Sequence, residues 1–271
     1  MRTKDPPRPS PGAQLLDRAI GILKQLGESG EGGIKSSEII DSLGLSGPTA
    51  HRIIAALERH GFVERERATK RYRLGLALFA LGAKAADGTG LRRICRPALL
   101  RLAASTGDTV FLMARSGLNA VCVDRQEGTY VLDSLTGHVG GQIPLGVGSA
   151  SEAILAFLPE REVEAVLAAN AHLYPAFNGL TADEILVTLP EIRQRGYAVD
   201  QGRLVAGISA LAVPLRPAGR DVIAALTINM TSPRLSEGRL HDLVAILKAE
   251  ASDIEAEVNP IHFAAQTRTR G

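Results

Sequence analysis

At 271 residues, with 45% apolar and 22% charged residues, the chain has the composition of an ordinary globular protein of one or two domains; collagen, coiled coil and chain-long disorder are excluded. The formal charge of +2 hides an asymmetry, since residues 1–87 hold 14 Lys and Arg against 10 Asp and Glu, whereas residues 88–271 hold 17 against 19. A basic first third on a near-neutral body points to a polyanion-binding module joined to something else.

In chain order, residues 1–13 carry four prolines with Arg2, Lys4 and Arg8 and have almost nothing to bury, which predicts a disordered basic tail. Leu15, Leu16, Ala19, Ile22, Leu23 and Leu26 recur at three and four, the pattern of an amphipathic helix, until Gly27 and Gly30 stop it. Ser36 or Ser37 is placed to cap a short helix carrying Ile39, Ile40 and Leu43, closed by Gly44 in left-handed geometry. Ser46 then caps a third helix with Pro48 in its first turn and Ala50, Ile53, Ile54 and Leu57 as its buried stripe, ended by Gly61. Segments 62–66 and 71–74 pair as a hairpin around a charged tip. Three short helices followed by a basic hairpin make a winged helix-turn-helix over residues 14–75.

Residues 76–90 read as a linker helix with a break near Asp87, Gly88 and Gly90. The next helix, over 91–105, contains Pro97, and a true start near Cys95 puts that proline in the first turn. Strands are predicted over 110–114, 120–125 and 142–145, helices over 150–157, 160–169 and 183–194, and strands over 197–200, 208–215 and 222–229. A last helix over 240–258 lines up His241, Val244, Leu247, Ala251 and Ile254. This order suggests an α+β sensor domain over 91–258, a central antiparallel sheet with helices on its faces, followed by a C-terminal tail over 259–271.

The third helix is the candidate DNA reader. With its apolar stripe turned inward, it presents Ser46, Gly47, Pro48, Thr49, His51, Arg52 and Arg59; the small residues let it sink into a major groove while Thr49, His51 and Arg52 reach bases or phosphates. Arg65, Arg67, Lys70 and Arg71 in the wing are placed for phosphate contacts. In the second half, Gly146 and Gly148 lack the third glycine of a dinucleotide fingerprint, which falls at Ser151. Ser149 instead starts a helix whose free N–H groups can receive a small carboxylate. Asp200 ends a strand, and Thr227 and Asn229, two apart on another, share a face that turns either to a ligand or to water.

Chemistry of other kinds is poorly supported. No nucleophile elbow, H-E-x-x-H pattern or paired cysteine spacing occurs, so neither an enzyme nor a bound metal or cofactor is expected. Cys95 and Cys122 are too few for a disulfide scaffold, and Cys122 reads as a small core residue. With no apolar run near the roughly 18 residues of a membrane span and no start of signal-peptide type, a cytoplasmic protein without membrane contact is expected. Trp is absent and aromatics make up 4%, which disfavours stacking on bases as the mode of binding.

Thr49, Ala50, His51, Arg52, then Gly61, Phe62, Val63, then Tyr72, Arg73, Leu74, Gly75 resemble the IclR family of bacterial transcriptional regulators. So do Pro144, Leu145, Gly148, Ser149, Ala150 with Ala153, Ile154, Leu155, and the run from Arg195 to Asp200 with Gly207. The resemblance implies a winged-helix domain, a linker helix and a GAF-like effector domain, assembled as dimers or tetramers on a double-stranded operator of two-fold character. It also implies a pocket for a small organic acid or aromatic metabolite, with contacts at the backbone of Ser149 and Ala150 and the side chains of Asp200, Ala210, Thr227 and Asn229. Two sites depart from the family pattern, three residues in all: Ser151 and Glu152 replace Gly and Lys, and Arg203 replaces Glu, which predicts an ion pair of swapped polarity between Glu152 and Arg203. The competing readings are a DNA-architectural protein without an effector site and an enzyme fused to a DNA-binding module.

Overall fold

The computed structural model describes residues 11–132, 135, 138–217 and 221–258, so residues 1–10 of the expected basic tail and the expected C-terminal tail over 259–271 lie outside the described part. The chain divides into two compact units, Met1–Ala85 and Ala86–Gly271.

The first unit opens with α1 (Pro11–Glu28), which takes in three residues that sequence assigned to the tail. Proline has no N–H to lose in a first helical turn, so Pro11 starts the helix. Then come α2 (Ser36–Leu43), α3 (Gly47–Arg59), β1 (Val63–Arg65) and β2 (Tyr72–Leu74). The strands form an antiparallel hairpin, and Ile34 bridges to Tyr72 as a third short pairing. Ile22, Leu26, Ile39, Ile53, Ile54, Leu57, Val63 and Tyr72 close the core, where each buried aliphatic contributes about 1.5–3 kcal/mol. Gly44 ends α2 at φ 59°, in the left-handed region its position requires.

Of the two expected serine caps, the one on α2 is replaced, and Ser46 keeps the cap position of α3 without its side-chain hydrogen bond. The residue before α2 is Lys35, whose N–H donates to the Glu38 carboxylate at 3.0 Å. Ser46 does precede α3, but its hydroxyl donates to Thr49 Oγ1 at 2.8 Å instead of receiving a helix N–H.

The boundary between the units falls inside α4 (Leu76–Thr89), which runs unbroken through Asp87 and Gly88; the turn comes at Gly90, φ 65°. The second unit continues with α5 (Leu91–Thr106), β3 (Thr109–Ser116), β4 (Asn119–Gln126), β5 (Gln142–Pro144), α6 (Ser149–Ala156), α7 (Glu160–Asn170), α8 (Ala182–Arg195), β6 (Ala198–Asp200), β7 (Ile208–Leu215), β8 (Ala224–Thr231) and α9 (Glu237–Glu257). Contrary to expectation, α5 starts four residues before Cys95 and holds Pro97 in its interior. Burial of Leu91 and Cys95 in the first turns, with Arg92 and Arg96 paired to Asp124 at 3.6 and 3.1 Å, offsets the one backbone hydrogen bond that proline removes.

Six strands form one sheet in the order β5-β4-β3-β8-β7-β6, with every neighbouring pair antiparallel. Side chains alternate across it. Val110, Leu112, Leu226, Ile228 and Met230 turn to α5 and α9, whereas Phe111, Met113, Cys122 and Ala225 turn to α6, α7 and α8. Both faces are covered, so the strands read as nearly continuous apolar runs. On α9 the buried positions are Leu243, Leu247, Ala251 and Ile254; His241, expected on that stripe, is exposed. Fully buried Asp108, at the head of β3, receives Arg234 Nε at 2.7 Å and an Arg239 Nη, tying that end of the sheet to α9.

Candidate functional site

In the first unit, α3 buries Ala50, Ile53, Ile54 and Leu57, as its spacing requires, and leaves Pro48, His51, Arg52, Ala55 and Arg59 exposed, with Gly47 and Thr49 half-buried beside them. This face combines small residues with two cations and a histidine, the composition of a helix that enters a groove. The wing divides its cations by task. Arg67 and Lys70 are exposed at the tip. Arg71 is drawn inward, donating to the Gly33 carbonyl at 2.8 Å and lying 3.9 Å from Glu38, so this side chain, expected on phosphates, staples the hairpin to the loop before α2. Arg65 lies over the Tyr72 ring at 5.4 Å, and Arg73 is 3.7 Å from Glu66.

In the second unit a cavity of about 300 Å³ opens between the start of α6 and the sheet. The two-apart spacing on β8 points Thr227 and Asn229 into it, so both turn to this cavity and not to the outer surface. All six expected positions, Ser149, Ala150, Asp200, Ala210, Thr227 and Asn229, line this one space. Gly146 and Gly148, at φ 99° and 81°, carry the chain from β5 into α6 through backbone shapes that side-chain-bearing residues rarely adopt.

Polar groups gather at one end. Gly148 precedes the first turn of α6 and offers no side-chain cap, and the backbone N–H groups of Ser149 and Ala150 have no acceptor among the described residues. The Ser149 hydroxyl is 3.4 Å from Thr227 Oγ1, which donates to Asn229 Oδ1 at 3.3 Å; this leaves the Asn229 amide as a free donor. An end made of donors at a positive helix terminus suits a carboxylate. The remaining wall is apolar, built from Phe111, Met113, Ile143, Leu204, Val205 and Ile208. Sequence reasoning missed these side chains, although the alternation along β3 carried the signal for Phe111 and Met113.

Asp200 does more than line the cavity. Its carboxylate accepts the N–H groups of Arg203 and Leu204 at 2.8 and 3.4 Å, shaping the loop that supplies Leu204 and Val205. Ser151, where the family pattern has glycine, buries a hydroxyl that accepts the Gly146 N–H at 3.0 Å and donates to the Val147 carbonyl at 2.6 Å, locking the turn into α6. Tyr174 fixes the same turn from outside, donating to the Leu145 carbonyl at 2.8 Å; burial pushes its hydroxyl up to about 12, so it stays a neutral donor. Glu152 and Arg203 make no direct ion pair: Arg203 pairs with Glu184 at 2.9 Å, while its charge still acts to lower the Glu152 carboxyl. Burial and the neighbouring Asp200 carboxylate raise the Glu152 carboxyl to about 7.

Among the described residues no group of three or more His, Cys, Asp or Glu side chains is placed to hold a metal ion, and no helix is long and apolar enough to cross a membrane.

A winged helix-turn-helix on the same chain as an α+β domain with an internal cavity defines a DNA-binding transcriptional regulator. Residues 15–67 match the family described as the IclR helix-turn-helix domain, and residues 83–256 match the bacterial transcriptional regulator IclR C-terminal domain. The chain belongs to the IclR family. It is 30% identical to the HTH-type transcriptional regulator KipR of Bacillus subtilis over 224 residues, covering 82% of this chain and 88% of KipR. The crystal structure of an IclR regulator from Alicyclobacillus acidocaldarius superposes with a TM-score of 0.75 at 27% identity, covering 93% of this chain and 100% of that one. An IclR homolog from Microbacterium hydrocarbonoxydans, complexed with 4-hydroxybenzoate, shares the fold with a TM-score of 0.75 at 23% identity, over 90% of this chain and 98% of that one.

Proposed function

We propose that this regulator binds a two-fold operator as a dimer or a pair of dimers, and that a small organic acid, aromatic in body, occupies the cavity under α6 and changes its operator affinity. The single observation that carries the effector half is the cavity itself. Its volume of about 300 Å³ is at the small end of ligand sites. Unpaired amides at one pole and an apolar wall elsewhere suit a carboxylate on a ring better than a two- or three-carbon keto acid. The Microbacterium relative is complexed with 4-hydroxybenzoate, an acid of this kind. A purely architectural DNA-binding role has no use for an open cavity of this composition.

The DNA half rests on α3. Its residues Thr49, His51, Arg52 and Arg59, with Gly47 and Pro48 allowing close approach, enter the major groove, while Arg67 and Lys70 hold flanking phosphates; Ser46 positions Thr49. Half-sites one turn apart, roughly 34 Å, ask for two copies of this unit. Exposed Leu15, Leu16 and Ile20 on α1, with Leu76, Phe79 and Leu81 on α4, offer apolar surface for that association.

Thermal shift of the full chain against benzoate, 4-hydroxybenzoate, phenylacetate and pyruvate tests the reading. A ligand at 100 times its Kd stabilises by about 2.7 kcal/mol, so aromatic acids are expected to raise Tm by several degrees and pyruvate by less. The binder then changes operator affinity by about 5–150-fold, and operator changes its affinity by the same factor. If no acid shifts Tm, or a binder leaves operator affinity untouched, the proposal fails.

A further inference from the structure

A second cavity, of about 370 Å³, adjoins the first and shares Gly148, Asp200 and Leu204 with it. Its charges come from every element packed there: Glu152 from α6, Glu191 and Arg195 from α8, Asp200 from β6 and Arg203 from the loop that follows. All but one are committed. Glu191 pairs with Arg195 at 2.8 Å, Arg203 pairs with Glu184 at 2.9 Å, and Asp200 accepts two backbone N–H groups. The Glu152 carboxylate has no hydrogen-bond or ion-pair partner among the described residues. It stands three residues after Ser149, on the same helix whose first amides face the effector cavity, and positions i and i+3 of a helix are surface neighbours.

The geometry points to Glu152 as the residue that ties effector charge to protonation: an anion arriving at the α6 amides is accompanied by uptake of a proton on the Glu152 carboxylate. This rests on the reading of the first cavity as an anion site. Three negative groups cannot gather around one turn of helix without cost, and Glu152 is the side chain there with no hydrogen-bond or ion-pair partner among the described residues. Its resting state is already balanced to take a proton. Burial and Asp200 raise the carboxyl, Arg203 and Arg195 lower it, and the net value is about 7. A further negative charge raises it again, so protons are taken up above about pH 7, while well below that the group is neutral before the anion arrives. The effector affinity therefore falls as pH rises through neutrality. Two charges separated by one turn, roughly 6 Å, in a medium of intermediate dielectric give a decline of about ten- to hundredfold. This makes Glu152 a specificity-determining residue, biasing the site at neutral and alkaline pH toward ligands of lower negative charge.

Calorimetric titration of the full chain with benzoate is the test, with benzamide as an uncharged probe of the same shape. Runs near pH 7.5 in two buffers of different ionisation enthalpy count the protons; affinities near pH 6 and pH 8.5 give the linkage. For the parent protein, benzoate is expected to bring in a large fraction of a proton and to bind about ten- to hundredfold more weakly at the higher pH, whereas benzamide does neither. For Glu152→Gln, benzoate is expected to bind at the parent's low-pH affinity throughout, with no proton taken up. The inference is overturned if benzoate binds without proton uptake, if benzamide draws in as many protons, or if Glu152→Gln keeps the parent's pH dependence. Failure of both probes to bind at either pH overturns the anion-site reading and this inference with it.

Discussion

Glu152→Gln also probes the electrostatics of the second cavity with no ligand present. Folding lifts the Glu152 carboxyl from its ordinary 4.5 to about 7. For a carboxyl raised by folding, the native state holds the proton more tightly than the unfolded chain. Stability from this group is therefore whole below about pH 4.5, declines as pH climbs from there, and is lost once pH passes about 7. At about 1.4 kcal/mol per pH unit, a lift of this size is worth about 3 kcal/mol. Glutamine stays neutral, so the variant does not suffer the decline. The difference in unfolding free energy, variant minus parent, is expected to change by about 3 kcal/mol in the variant's favour between about pH 4.5 and pH 7.5. Carboxylates remote from Glu152 contribute alike in both proteins and cancel. Urea unfolding followed by tyrosine fluorescence is suited to the measurement, because Trp is absent and three of the four tyrosines, Tyr130, Tyr174 and Tyr197, lie in the same unit as Glu152. A difference that does not change with pH refutes the reasoning, and so does a variant that loses ground to the parent as pH rises.

The remaining expectations concern the two faces and the sheet. Arg52→Ala is expected to weaken specific operator binding by about 1–3 kcal/mol, whereas Lys70→Ala weakens binding to all sequences alike and reduces the salt slope by about one; anisotropy titrations on operator and random duplex at several salt concentrations separate them. Arg71→Ala, by contrast, should lower the unfolding midpoint of the first unit and leave the salt slope nearly unchanged, because its guanidinium is committed to the Gly33 carbonyl. Asp108→Ala strands Arg234 and Arg239, and a cost of about 3–5 kcal/mol in urea unfolding is expected. Ala210→Leu projects into the cavity under α6 and, on the proposed reading, should abolish the thermal shift by aromatic acids while operator binding persists in a mobility-shift assay.

The winged helix was legible because its signals are local. Gly44, Pro48 and Gly61 mark the helix ends where their backbone conformations demand, and the apolar stripe of α3 needs only its own period. The inward pull of Arg71 was not, since its acceptor lies 38 residues earlier and nothing in the wing marks one cation for a structural task. The polar end of the cavity was legible for a similar reason: Gly146 and Gly148 announce the start of α6, and the spacing of Thr227 and Asn229 gives them a shared face. Which face that is depends on β8 lying beside β3, a pairing the sequence does not signal. The same pairing brings in Phe111 and Met113. Glu152 and Arg203 looked like a matched pair, but Glu184, on the exposed side of α8, offers Arg203 a direct partner, so Arg203 acts on Glu152 only through its charge.

The pairing of β3 with β8 sets Phe111 opposite Thr227 and Thr109 opposite Asn229, so the cavity under α6 joins an early strand to a late one. On the ribosome, the winged helix emerges complete long before the last wall of that chamber has been made. A chain that stops short of β8 therefore carries the whole winged helix but lacks the wall that Thr227 and Asn229 supply to the cavity under α6. Closing that cavity is thus among the last steps of synthesis, whereas α3 is among the first elements made.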